Sequence, residues 1–317
     1  MLVTSATAGN DGMFDPDGPA AAEIAGLWWL LFWLGVLAFV AFAVSLGIAL
    51  WRRRSANRDR ETGSASLRRI VLGGGLVFPA IVLTVVLVAT VRTMRALSDS
   101  APDDAVRVEV VGHRWWWEIR YPDSGVVSAN ELHMPVGRAV EVSLTSADVI
   151  HGLWVPALGG KLDLLPDRTN VMVLQADEPG EHRTQCAEFC GMQHALMRLL
   201  VVVHPDGGFE SWVERNAQDA AVASDPGFEV ARRLFAEAGC ASCHTVRGTD
   251  ANGATGPDLT HVASREMIGA GATAWTRENA LAWISEPQDL TPGIDMPAWT
   301  RSDEELETLL DYLMGLR

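Results

Sequence analysis

Cysteine is scarce in this chain of 317 residues. There are four, in two close pairs: Cys186 with Cys190, and Cys240 with Cys243. If both pairs serve metals, none is left for a framework of structural disulfides. None of the eight histidines precedes His113. The two long apolar runs upstream therefore cannot build a metal centre of clustered imidazoles. No βαβ pattern accompanies the Cys-x-x-Cys pair, which argues against a thioredoxin-like redox site. The chain start lacks a basic region, and no small-residue cleavage site precedes the arginines. Both absences argue against reading the first apolar run as a secretory signal.

The most informative stretch present is Q-C-A-E-F-C-G-M-Q-H-A-L-M, residues 185–197. Two thiols lie four residues apart, an imidazole follows at His194 and a thioether at Met197. Soft and borderline donors of this kind hold copper rather than magnesium or calcium. His151, in T-S-A-D-V-I-H-G-L-W-V-P, supplies a second imidazole. Half of a zinc site and a disulfide across the loop are the alternatives. Neither accounts for Met197 and His151.

A second set reads C-A-S-C-H from Cys240 to His244. This is the attachment signature of a c-type haem, with thioethers from Cys240 and Cys243 and His244 on the iron. The sixth ligand is expected to be a methionine downstream. Met296, in P-G-I-D-M-P-A-W, has the Gly/Pro turn context; Met267, the competitor, lacks it.

Mean hydropathy is +0.12, and the apolar residues are concentrated. Ile24 to Leu50 is almost unbroken, and Ile70 to Val91 is a second run. Each is long enough to cross a bilayer as a helix, and Pro79 is tolerable there. Between them Arg52, Arg53, Arg54, Arg58, Arg60, Arg68 and Arg69 form a basic loop. The positive-inside rule places that loop in the cytoplasm and both chain ends outside. Trp28, Trp29, Trp33 and Trp51 suit the interfacial belts. Outside placement agrees with where both metal groups are assembled.

From Asp104 the period changes to two. V-R-V-E-V-V-G-H and R-A-V-E-V-S-L-T-S alternate and read as half-buried strands; V-M-V-L-Q-A and L-M-R-L-L-V-V-V-H continue the β-rich stretch, with Pro/Gly/Asp turns between the runs. A β-sandwich over residues 104–205 is expected. Residues 206–226 read as a polar, Ala/Asp-rich linker after a short helix-like segment. Residues 227–317 read as an all-α domain. It opens with an amphipathic helix and closes with one whose Leu306, Leu309, Leu310 and Leu313 share a face, capped by Ser302 or Asp303. The fold class is thus a multidomain membrane protein. Residues 1–103 hold a tail and a two-helix hairpin, ahead of the all-β sandwich and the helical domain.

The run C-x-E-x-C-x-x-x-H-x-x-M resembles the copper A motif of cytochrome c oxidase subunit II. The resemblance implies a cupredoxin-like sandwich in which Cys186 and Cys190 bridge two coppers. His151 and His194 each terminate one, Met197 is a weak axial ligand, and Glu188 ligates through its carbonyl. The Glu188 side chain would bind magnesium or manganese shared with subunit I. Trp115, first of the W-W-W cluster, matches the family's electron-entry tryptophan. Lys161, Asp163, Arg168 and Asn170 match a stretch at the subunit I interface, with Asp167 in place of a glycine. Leu72 stands where many members carry a proton-channel glutamate, and Glu61 lies too far out to replace it.

Fusion to a small class I cytochrome c-like domain, two helices packed around haem, is similar to the caa-type oxidases. The implied function is electron entry: c-type haem to dinuclear copper A to subunit I, which reduces dioxygen with coupled proton translocation. The implied partners are subunits I and III, with cytochrome c or a quinol-oxidising complex as donor. The implied location is the bacterial cytoplasmic membrane, and no nucleic acid is expected. The formal net charge of −15 suits either a cationic donor or simple solubility. The rival readings are a copper A subunit of a nitric oxide reductase and a metal or haem carrier for oxidase assembly.

Overall fold

The structure, a computed structural model, describes residues 12–55, 64–98, 100–220 and 226–317. Arg58, Arg60 and Glu61 lie outside the described residues. The chain divides into two units, Ala20–Ser100 and the remainder.

The first unit is helical. Helix α1 spans Pro19–Ser55 and ends on Arg52, Arg53 and Arg54, where cations favour the helix dipole. Helix α2 (Ser64–Leu72) runs through a π turn, Gly73–Val77, into α3 (Phe78–Ala96). The π turn has a sequence cause. Pro79, in the first turn of α3, has no N–H to donate, and three glycines ahead of it allow the wider turn. The backbone N–H of Phe78 reaches the Gly73 carbonyl, five residues back. Two segments, Pro19–Arg54 and Arg68–Ala96, are long and apolar enough to cross a membrane. Their side chains, among them Trp33, Phe39 and Leu83, are exposed in the chain alone. An apolar surface of that extent calls for lipid or protein cover.

The second unit begins its strands at β1 (Val106–His113). It continues through β2 (Trp116–Tyr121), β3 (Val126–Ala129), β4 (Glu131–Pro135) and β5 (Val140–Ser146). Then come β6 (His151–Leu153), β7 (Leu162–Leu164), β8 (Asn170–Leu174), β9 (Gly180–Gln185) and β10 (Arg198–His204). One sheet is ordered β3-β2-β1-β5-β8 and the other β4-β10-β9, with β6 and β7 as a hairpin. Strand β5 buries every second residue, Val140, Val142, Leu144 and Ser146, as the pleat requires. These side chains meet Trp117, Ile119, Leu132 and Val201 in one core.

Helix α4 (Gly208–Asn216) follows within the stretch read as linker. Its Phe209 and Trp212 are buried, and Trp212 stacks on His133 at 4.1 Å. The two rings, three positions apart and so on one helical face, pack into the sandwich core.

The C-terminal domain holds α5 (Pro226–Glu237), a short ribbon of β11 (Met267–Ile268) and β12 (Thr273–Ala274), α6 (Arg277–Ser285), α7 (Pro287–Leu290) and α8 (Asp303–Gly315). Leu306, Leu309, Leu310 and Leu313 of α8 are all buried, against Leu234 and Phe235 of α5. Ser302 caps α8 in a reciprocal box with Glu305. Helices α6 and α7 add to the two-helix pattern read in the sequence. Helix α6 has a weak apolar face, and its N-terminus is set by the Thr276 cap.

Candidate metal centres

The Cys186–Met197 loop joins β9 to β10, and His151 opens β6. These elements bring the two sequence-distant parts together at one end of the sandwich. The Cys186 Sγ lies 3.9 Å from His151 Nδ1 and 3.1 Å from the Glu188 carbonyl oxygen. The Cys190 Sγ lies 3.8 Å from His194 Nδ1 and 3.9 Å from Met197 Sδ. Each thiol thus faces its own imidazole and a further weak donor. Neither cysteine is in a disulfide. Ligand atoms of His151, Cys186 and Cys190 lie within 4.8 Å of one another, and all three residues are buried. The His194 imidazole sits at the other end, on Cys190.

The surroundings explain the orientation. The His151 Nε2 is 3.0 Å from Asp148 Oδ1, which leaves Nδ1 for the thiol side. Burial acts upward on Asp148, but hydrogen bonds from His151 and the backbone N–H groups of Val149 and Arg114 outweigh it. The carboxyl stays below its ordinary range. Burial pushes His151 downward, so its ring is neutral and its lone pair available. Burial and the neighbouring Cys186 push the Cys190 thiol up to about 12. A bound cation would displace that proton. Gly112 is needed where it stands, because a Cβ there would lie 2.8 Å from the His151 ring.

Trp115 precedes β2 and donates from Nε1 to the Cys190 carbonyl at 2.9 Å. Gly191, at φ +115°, leaves room for the indole. The other two tryptophans divide as the strand dictates. Trp117 is fully buried, and Trp116 stacks on His113 at 4.3 Å. The half-exposed Glu188 carboxylate is 3.8 Å from Lys161 Nζ. The Asn170 side chain donates to the Asp163 carbonyl at 2.7 Å, tying β7 to β8.

In the helical domain Cys240 opens a 3₁₀ turn, and His244 follows it. The His244 Nδ1 is 2.8 Å from the Pro257 carbonyl oxygen, so Nε2 is left for a ligand bond. Burial lowers His244, which keeps the ring neutral. Gly256 cradles it: a Cβ there would come within 2.7 Å of the imidazole. Met296 packs on the same core as Cys240, Leu281 and Trp283. Met267 is on β11, with its backbone N–H turned to Glu131 of the sandwich. Both donor sets therefore fit the groups their chemistry suggests.

Sequence reasoning passed over Asp148, although a carboxylate three residues before His151 was the available signal. It also passed over Glu131, Gln193 and Gly293, for which no local pattern exists.

A sandwich that gathers two thiols, two imidazoles and a thioether on its end loops, joined to a Cys-x-x-Cys-His helical domain, defines an electron-transfer protein. With its two apolar helices it is a membrane protein. Residues 126–204 match the family described as cytochrome c oxidase subunit II, periplasmic domain, and residues 228–317 match cytochrome c. Cytochrome c oxidase subunit 2 of Alkalihalophilus pseudofirmus is 34% identical over 96% of this chain and 90% of its own. That of Bacillus subtilis is 31% identical over 76% of this chain and 73% of its own. The crystal structure of the periplasmic domain of subunit II from Bradyrhizobium japonicum is 32% identical. It covers 37% of this chain and 96% of that domain, with a TM-score of 0.36.

The chain belongs to the cytochrome c oxidase subunit II family, with a cytochrome c domain fused at its C-terminal side. It is a component of an oxidoreductase complex, takes copper and c-type haem, and partners the haem–copper subunit I.

Proposed function

We propose that this chain is the electron-entry subunit of a terminal oxidase, holding a dinuclear copper A and one covalent haem c. Cys186 and Cys190 would bridge the coppers. His151 and His194 would terminate them, with Met197 and the Glu188 carbonyl as weak ligands. Cys240 and Cys243 would anchor the haem, with His244 and Met296 on its iron. When bound, these groups accept and release single electrons with little change in geometry.

The chain's own residues do the positioning. Asp148 and the Pro257 carbonyl fix the two imidazole tautomers, and the sandwich core keeps water from the thiols. Trp115, bonded to the Cys190 carbonyl, lies at the entry side. Dioxygen reduction belongs to subunit I, because the described helices of this chain carry no histidine. By resemblance, the Glu188 carboxylate would share a magnesium or manganese ion with that subunit; its half-exposed position beside Lys161 leaves it accessible. Subunit III completes the complex. A cytochrome c or a quinol-oxidising complex serves as donor, and both metal domains face outward across a bacterial cytoplasmic membrane.

The pairing of each thiol with one imidazole Nδ1, at 3.9 and 3.8 Å, carries this reading. Metal analysis and electron-spin resonance of the purified complex test it. Two coppers per chain and a seven-line signal are expected. Zinc, or a four-line signal from a single copper, overturns the dinuclear site. Oxygen uptake by the same complex tests the oxidase assignment against a nitric oxide reductase.

A further inference from the structure

The sandwich carries a carboxylate in an unusual place. Glu131 opens β4 and is 2% exposed. A buried carboxylate is costly unless every lone pair finds a donor. Its Oε1 accepts from the backbone N–H groups of Glu266 at 2.6 Å and Met267 at 3.3 Å. Both belong to the haem domain, at the start of β11. Its Oε2 is 3.6 Å from His133 Nε2, within the sandwich. Arg265, a partly buried arginine of the haem domain, lies in its field and donates to the Asp258 carbonyl. The donors that satisfy Glu131 are thus mainly on the other domain.

A second contact lies at the copper loop itself. Arg198, next after Met197, donates its backbone N–H to the Ala270 carbonyl at 3.0 Å. Gly271, at φ +79°, admits the Arg198 side chain, since a Cβ there would come within 2.8 Å of it. A third contact is made by Gln193, 4% exposed between Cys190 and His194, which donates from Nε2 to the Pro292 carbonyl. Gly293 presses on this seat. A Cβ there would meet Met192 Sδ at 2.9 Å and the Trp115 ring at 3.8 Å. Met296 follows three residues later.

We propose that the haem domain is latched to the sandwich in one fixed pose, with Glu131 as the latch and Gln193, Met192 and Trp115 as the seat for Pro292–Gly293. The domain is then an insert, not a carrier that swings on its linker between an outside donor and the copper loop. Glu131 is a positioning residue, because it belongs to neither donor set. The inference rests on the reading of haem c and copper A given above. It extends that reading to the geometry that sets the rate between them.

The test uses the full chain in its assembled oxidase, in detergent, with haem and copper loaded. Hydrogen exchange is read at the Glu266 and Met267 amides, and electron arrival at copper is read after photoreduction of the haem. In the wild type, strong protection at both amides is expected. Glu131→Ala removes a charged acceptor from two buried donors. It is expected to speed their exchange by about tenfold or more and to slow electron arrival by a similar factor, with unaltered haem and copper spectra. Glu131→Gln keeps one carbonyl oxygen and should restore most of both.

Wild-type amides at 266 and 267 exchanging like those of an unstructured peptide overturn the latch, and this needs no variant to fold. Faster exchange in Glu131→Ala with an unchanged electron rate overturns the claim that the pose sets the rate. Protected amides in a wild-type complex whose haem never reduces copper leave the latch standing and overturn the electron-entry reading instead.

Discussion

At the scale of the residue, orientation matters more than identity. His151 can present either ring nitrogen, and Asp148 decides which. Asp148→Asn keeps the shape but loses the charge that holds the Nε2 proton. Substitutions of this kind cost about 10–100-fold in metal affinity. Titrating copper into the apo chain is expected to show a loss in that range with the fold unchanged by circular dichroism. Met296 and Met267 differ in the same way, by surroundings and not by chemistry. Met296 shares the core of the haem motif, while the Met267 backbone is held by Glu131. Met296→Ala is therefore expected to change the haem spectrum and leave the copper signal intact. The same change produced by Met267→Ala would reverse the axial assignment.

At the scale of the element, close approaches set what the chain tolerates. Strand β1 passes so near β6 that Gly112 has no room for a side chain, with the His151 ring 2.8 Å from where its Cβ would be. Gly112→Ala should push the ring off its thiol. Overpacking of this kind costs about 1–3 kcal/mol, and copper content per chain should fall well below two. Alternation of apolar and polar residues made β1 and β5 readable, because a half-buried sheet enforces that pattern. The α8 leucine face was readable for the equivalent helical reason. Helix α4 was harder to read. Its burial rests mainly on Phe209 and Trp212, and their partners Tyr121 and His133 lie far back in the chain. The π turn before Pro79 had a cause in the sequence, although the spacing did not foretell its form.

At the scale of the whole molecule, buried titratable groups link stability to pH. Burial lowers His133, and burial with the neighbouring His133 lowers His204 to about 4. Both lie below the ordinary histidine value of about 6.5. The unfolded chain therefore takes up these protons first as pH falls. Their contribution is complete above about pH 6.5 and is lost as pH drops toward 4. The thermal midpoint of the full chain is expected to fall between pH 7 and 4.5. A His204→Gln variant should show a shallower decline over that window, and an equal decline would remove this histidine from the account.

The sequence by itself determined the two donor sets, the two apolar spans and the classes of the three folded parts. Each of these is written in a short run of neighbours: a thiol spacing, an unbroken apolar stretch, a period of two or of 3.6. Tertiary structure alone decided which thiol faces which imidazole, that Asp148 orients His151, and that Glu131 meets the amides of Glu266 and Met267. Those partners are brought together by strand register and by docking of one domain on another. Such contacts join positions up to 136 residues apart, a distance over which no local pattern of residue types carries information.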